Sequence, residues 1–354
     1  MRYSIVAFCL LLLGLALKAQ TPGDSILINE RKIDRPLTLH KGQLQFNTAY
    51  EISVISKEYD NNSKAIVLSD IGTASVRHKY LIELNYGILD FLQASVSLNY
   101  SLRGERSESR RIWVTYGELP DFYITCFDEY KGFEDLYIGT LIKLPLKTRI
   151  IEIVLSPGIS LPLFSNLPEA PENSILLPSA GQPVTKIIYH NNHTAGNGSK
   201  ALKIGAGTIV RPGNDLSISA RMNYSWPVAV SETVQWIHQL SGSSFIYDDI
   251  AYKYLIGNTL DYEVNLAYQA ISWFNLFLSW YSESTTSGWS EITGFRIGNP
   301  ESKLSTMTIG YEIKATGRAW INQAASIALT GKNQLAPFSI YLGLSYNLFP
   351  FEKK

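Results

Sequence analysis

The stretch from Tyr80 to Leu102, YLIELNYGILDFLQASVSLNYSL, constrains the fold more than any other part of the chain. Its first half sets Tyr80, Ile82, Leu84, Tyr86 and Ile88 on alternate positions, with Lys79, Glu83, Asn85 and Gly87 between them and Leu81 the one apolar exception. Its second half sets Leu92, Ala94, Val96, Leu98, Tyr100 and Leu102 on one face, with Gln93, Ser95, Ser97, Asn99 and Ser101 on the other. Two period-2 runs joined by Leu89-Asp90 predict a β-hairpin. Each run is about 10 residues or more, where a soluble strand commonly has about 5–6. A tilted strand crossing a bilayer needs about 9–11.

The pattern recurs along the chain. Period-2 runs cover 42–56, 74–88, 91–102, 133–144, 149–161, 201–211, 215–226, 251–268, 272–281, 303–315, 319–330 and 336–349. Together they predict about 12 strands, an even number of the kind that bacterial outer-membrane barrels use. The connections between them alternate. Short links, such as Pro212-Gly213-Asn214 and Thr316-Gly317-Arg318, follow every second strand, and the intervening segments 57–73, 103–131, 162–200, 227–250 and 282–302 are long and polar. Short periplasmic turns and long outer loops are the pattern of such barrels. The predicted fold is therefore all-β, a transmembrane antiparallel up-and-down β-barrel with its apolar face toward lipid and its polar face toward the lumen. Tyr50, Tyr80, Tyr100, Tyr224, Trp226, Tyr254, Tyr268, Trp280 and Tyr346 fall near predicted strand ends, which suits interfacial girdles. A soluble two-sheet sandwich also alternates, but strand length and loop asymmetry both favour the barrel.

The N-terminus sets the compartment. A basic start at Arg2, an apolar core from Ile5 to Leu17 and a small residue at Ala19 predict a secretory signal peptide over residues 1–19. Residues 20–41 are mixed and polar and predict a periplasmic arm or a plug within the lumen, and residues 42–354 the barrel. No later stretch has the run of about 18 apolar residues that a membrane helix needs. The expected location is the bacterial outer membrane after Sec-type export. After cleavage Cys126 is the one cysteine, so no internal disulfide can form. Lysine plus arginine and aspartate plus glutamate both number 31, and loss of Arg2 and Lys18 leaves the mature chain at −2. That balance gives no electrostatic footprint for nucleic acid.

The predicted lumen face carries Glu51, Glu83, Lys143, Glu152, Lys203, Arg221, Asp261, Glu263, Glu312 and Lys314. These are the candidate pore-lining residues, able to set selectivity along a solute path. The alternative use is an internal ion-pair network that fills the barrel. A lumen of about 12 strands lies between the filled 8-stranded case and the open 16-stranded porin. His190 and His193 form an H-x-x-H, but no carboxylate or thiol accompanies them, so no metal site and no cofactor are expected. His40, His78 and His238, with many serines, leave room for a Ser–His lipid hydrolase, although no motif surrounds any serine and no catalytic residue is assigned. The arginines from Arg103 to Arg111 offer a grip for lipopolysaccharide phosphates, or a solvated loop.

Tyr86-Gly87-Ile88-Leu89-Asp90-Phe91 resembles the "YGLTDRLE"-type hairpin of the MetA-pathway phenol-degradation family of outer-membrane barrels. Asp135-Leu136-Tyr137-Ile138-Gly139, Ser160-Leu161-Pro162, Thr330-Gly331-Lys332-Asn333 and Leu342-Gly343-Leu344-Ser345-Tyr346 resemble its pattern as well. The chain departs from it in having Phe91 where a basic residue is usual and no glycine after Leu161-Pro162. The resemblance implies a channel for hydrophobic or aromatic compounds and transfers no site residue. The expected function is thus an outer-membrane channel for diffusion of small solutes, with outer-membrane lipid and lipopolysaccharide as surroundings. A structural or binding barrel with a plugged lumen is the alternative, and a membrane-embedded hydrolase the third.

Overall fold

The structure is a computed structural model and describes residues 37–68, 74–109, 123–146, 148, 150–163, 186–193, 198–241, 244–292, 295–316 and 318–348. The expected signal peptide (1–19) and most of the expected arm (20–41) lie outside the described residues. In chain order the strands are β1 (Leu44–Tyr59), β2 (Ala65–Val67), β3 (Ala74–Leu89), β4 (Leu92–Ser109), β5 (Tyr123–Phe133), β6 (Leu136–Lys143), β7 (Ile151–Leu155), β8 (Gly158–Leu161), β9 (Lys186–His193) and β10 (Ala201–Val210). They continue with β11 (Leu216–Pro227), β12 (Val230–Ser241), β13 (Ser244–Leu255), β14 (Thr259–Ile271), β15 (Phe274–Thr285), β16 (Gly288–Ile292), β17 (Phe295–Asn299), β18 (Ser302–Lys314), β19 (Ala319–Lys332) and β20 (Gln334–Leu348).

Twelve staves form a closed antiparallel ring: β1, β3, β4, β6, β7 with β8, β10, β11, β14, β15, β18, β19 and β20. The ring closes where β1 pairs on one side with β3, Leu44 opposite Tyr86, and on the other with β20, Leu44 opposite Leu348. Closure satisfies every ladder group without a free edge, which hydrocarbon surroundings require. β7 and β8 form one stave interrupted at Ser156-Pro157. Proline has no N–H to give the ladder, and Ser156 keeps the stave attached by exchanging backbone bonds with Gly205 at 2.8 and 3.0 Å.

Burial is inverted relative to a soluble protein. The interior is polar: Ser53, Ser95, Asn85, Gln93, Ser217, Gln269, Asn275, Ser326, Ser339 and Asn347 are buried. The exterior is apolar, with Leu84, Val96, Ile138, Leu202, Ile204, Met222, Leu278, Ile309, Ile340 and Leu342 exposed. This is the face alternation of a membrane-spanning barrel. On that exterior Tyr50, Tyr80, Tyr100 and Phe133 stand opposite one another across neighbouring strands. Their ring centroids are spaced at 4.9, 6.3 and 5.3 Å.

Several segments expected as loops are strands. β4 runs on to Ser109, β5 fills the end of the 103–131 segment, and β9 joins β5 in the one parallel pair among the described strands. Tyr50 and Tyr100 therefore lie inside their strands and not at the ends. The expected single strand 251–268 is two. β13 ends at Leu255 and joins β12, β16 and β17 in a second, four-stranded sheet beyond the outer end of the barrel, while β14 starts at Thr259 in the ring. The chain changes sheets at Gly257, where a Cβ would stand 1.7 Å from the Thr286 carbonyl oxygen.

Candidate functional site

Polar and charged side chains converge on the lumen wall. β1 and β3 bring Glu51 and Arg77 to 3.1 Å, and Ser53 donates its hydroxyl to the same carboxylate at 2.6 Å. One level toward the periplasm, Glu83 accepts from the Asn47 and Asn85 amides at 3.3 and 3.0 Å. Lys79 reaches Glu134 at 2.9 Å across β4, whose Asn99 and Ser101 also donate to that carboxylate. On the other side of the ring Arg221 of β11 pairs with Glu263 of β14 at 2.7 Å, and Ser279 donates to Glu263. Asn223 donates to Asp261 at 2.7 Å, Tyr281 to Glu283 at 2.8 Å, and Asn275 to Glu312 at 2.9 Å. Lys203 of β10 stands over the Tyr137 ring, 5.3 Å from its centroid. Lys143 and Lys314 take the last ladder positions of β6 and β18, where their amides bond the Phe91 and Trp273 carbonyls.

These ion pairs run around the wall. Each of them joins neighbouring staves, or staves one apart. Side chains paired in this way lie along the sheet.

The periplasmic end is built differently. Residues 37–41 pass under the hairpin that joins β3 to β4 and are fixed by hydrogen bonds. The amides of Leu37, Leu39, His40 and Lys41 donate to the side chains of Glu152, Gln93, Gln43 and Asp90 at 2.9, 3.0, 3.1 and 2.9 Å. The Thr38 hydroxyl donates to the Asp90 carbonyl, and Thr38 is 1% exposed. Glu152 also holds Arg211 at 3.1 Å. Gly87 makes this path possible, since a Cβ there would stand 2.0 Å from the His40 carbonyl oxygen. Trp320, on the inward face of β19, is 1% exposed in the same half of the lumen.

Sequence reasoning missed Arg77, Lys79, Glu134, Tyr137, Arg211, Glu283 and Trp320. Arg77 continues the row of Lys79 and Glu83 at period 2, so extending that row finds it. Glu134 and Arg211 lie inside the expected runs 133–144 and 201–211, Arg211 in phase with Lys203, but just outside the observed strands. His190 and His193 fall in β9, and His238 in β12, with side chains outside the described residues. The His78 ring bonds the Tyr50 hydroxyl at 2.7 Å on the outer face, and His40 lies 3.9 Å from Asp90. No group of three metal-ligating side chains occurs among the described residues.

No family model matches the sequence, and no curated protein matches it. Solved structures do. The COG4313 outer membrane channel from Pseudomonas putida F1 superposes with a TM-score of 0.57 at 11% identity, over 89% of this chain and 99% of that one. The chain has the fold of that barrel. The Pseudomonas putida toluene transporter TodX matches with a TM-score of 0.43 at 10% identity, over 92% and 94% of the two chains. The translocator domain of the autotransporter NalP from Neisseria meningitidis matches with a TM-score of 0.43 at 10% identity, over 87% and 89%. The fold likeness agrees with the outer-membrane barrel family that the hairpin motifs resemble.

Proposed function

We propose that this protein is a bacterial outer-membrane channel through which small solutes diffuse, and that the ten charged residues from Glu51 to Lys314 named above line the solute path. One observation carries this: a closed ring of staves, apolar outside, whose inward ion pairs join near staves along the wall. The fold shared with an outer membrane channel supports it. Lipid surrounds the exterior, with lipopolysaccharide as the outer-leaflet partner of the rim. The lumen holds a row of water-compatible groups, so passage needs no chemistry and no catalytic residue. Purified mature protein in planar bilayers should give discrete conductance steps in KCl, and their absence at high protein-to-lipid ratio would refute the proposal.

The strap at Leu37–Lys41 favours a second reading, a barrel closed at its periplasmic mouth. A chain truncated through Thr38 separates the two. A closed barrel begins to conduct only after truncation, whereas a channel conducts before it.

A further inference from the structure

We propose that Tyr137 and Lys203 form a lumenal subsite for aromatic solutes bearing a carboxylate. The proposal rests on the channel reading for the route by which solute arrives. The wall here is unusually smooth. Gly139 of β6 stands opposite Gly158 of β8, which stands opposite Lys203 of β10. The Tyr137 ring lies across both glycines: a Cβ on Gly139 would stand 2.2 Å from its hydroxyl oxygen, and one on Gly158 2.6 Å from the ring. Any larger residue at either position would push the ring off the wall. One face of the ring is thus taken up by backbone, and the Lys203 ammonium stands 5.3 Å from the ring centroid.

Both polar groups are idle. Among the described residues neither the Tyr137 hydroxyl nor the Lys203 ammonium has a hydrogen-bond or ion-pair partner, in a lumen where most other charges are matched. An aromatic ring stacks on a tyrosine face at little cost in specificity for its substituents. A carboxylate on that ring reaches the ammonium, which already sits within cation–π distance of the same platform. Arg221, 62% exposed by side chain and paired with Glu263, projects into the space nearby and adds to the positive rim. Glu83 is the opposing acid, and the Asn47 and Asn85 amides bond its two oxygens. A neutral aromatic leaves the ammonium unused, and an aliphatic acid leaves the ring face unused, so the pair selects for both features together.

Equilibrium dialysis against protein in detergent micelles, with benzoate, cyclohexanecarboxylate and benzyl alcohol as probes, tests this. KCl conductance is recorded on the same preparations, and heat-modifiable gel mobility shows that each variant is folded. Benzoate should bind more tightly than the other two. Lys203→Gln should weaken benzoate about fivefold or more, and Tyr137→Leu should erase the preference over cyclohexanecarboxylate, with the heat-modifiable mobility of the folded barrel kept in both. Equal binding of the three probes, or unchanged benzoate affinity in Lys203→Gln, overturns the subsite even where the channel conducts. Benzoate binding with this dependence but no KCl steps overturns the channel and leaves the subsite standing.

Discussion

Glu152 serves two partners with one carboxylate: Arg211 Nη1 sits 3.1 Å from Oε1, and the Leu37 amide donates to Oε2 at 2.9 Å. The wall and the strap are thereby tied at one residue. Both ionic side chains are nearly buried, at 10% and 13% exposure, so the pair is shielded from the solvent screening that weakens surface pairs. Glu152→Ala removes the carboxylate that faces Arg211 and the acceptor of the strap. It should cost about 2 kcal/mol or more in stability, read by urea unfolding in micelles. Faster amide exchange at Leu37 and Leu39 should accompany it, with β18 and β19 unchanged.

Gly87→Ala tests the strap without touching a charge. The new methyl meets the His40 carbonyl at a distance no real contact allows, so residues 39–41 must lift from the hairpin. Overpacking of this kind costs about 1–3 kcal/mol. Limited proteolysis should cut the chain near residues 37–41 faster in the variant, and single-channel conductance should rise. Identical proteolysis would mean that the strap is not held where the structure puts it.

The two faces of β18 make opposite predictions. Ile309 is 65% exposed on the apolar exterior, and its neighbour Thr308 faces the lumen. Ile309→Arg should destabilise the folded barrel by about 2–4 kcal/mol, the cost of arginine on a barrel's lipid face near the midplane. Thr308→Arg should fold with little loss and alter ion selectivity. Gel mobility after refolding into bilayers measures the first effect, and reversal potentials in a KCl gradient the second.

At the outer rim Lys332 donates to Glu301 and holds its carboxyl below the usual carboxylate range, first through that hydrogen bond and then through its charge. A carboxyl depressed in the folded state contributes stability above its unfolded value, and loses it as pH falls through the folded value. Lys332→Met should therefore return the Glu301 titration to the ordinary range. NMR of the glutamate side chain checks this directly. Because Glu301 is fully exposed, no measurable change in global unfolding is expected.

Alternation made the staves legible because each residue in them meets either lipid or lumen, and those two surroundings demand opposite chemistry. Tyr80 to Ile88 and Leu216 to Trp226 show it most plainly. Beyond the bilayer that demand lapses. Val230 to Ser241 pairs into a strand whose neighbours need not be sorted by face, and its charges and polar groups read as loop. The same holds for Gly288–Ile292 and Phe295–Asn299. The change of sheet at Gly257 was hidden because the apolar row of Tyr252, Tyr254 and Ile256 resumes in the same phase at Leu260, with Asn258 the one gap. Glu51, Glu83, Glu152, Arg221, Asp261, Glu263 and Glu312, chosen from the sequence, take side-chain partners on the wall that could not be foreseen. Pairing depends on side-chain reach as well as register: Lys79 stands directly opposite Glu51, yet that carboxylate pairs diagonally with Arg77, which stands opposite Ser53, while Lys79 turns to Glu134. Trp320 escaped notice for a related reason: an indole in a barrel strand suggests the lipid boundary, and this one points inward.

That inward indole gives the barrel its own optical markers. Trp226, Trp273 and Trp280 are 41%, 51% and 38% exposed on the outside, whereas Trp320 is 1% exposed within. Brominated acyl chains will darken the first three and spare the fourth. Any event that empties the periplasmic half of the lumen will let aqueous iodide reach Trp320, shifting its emission to the red. Occupancy of that passage can thus be followed in intact membranes as the fluorescence difference between the native chain and Trp320→Phe, a difference that removes the signal of Trp113, Trp236 and Trp289.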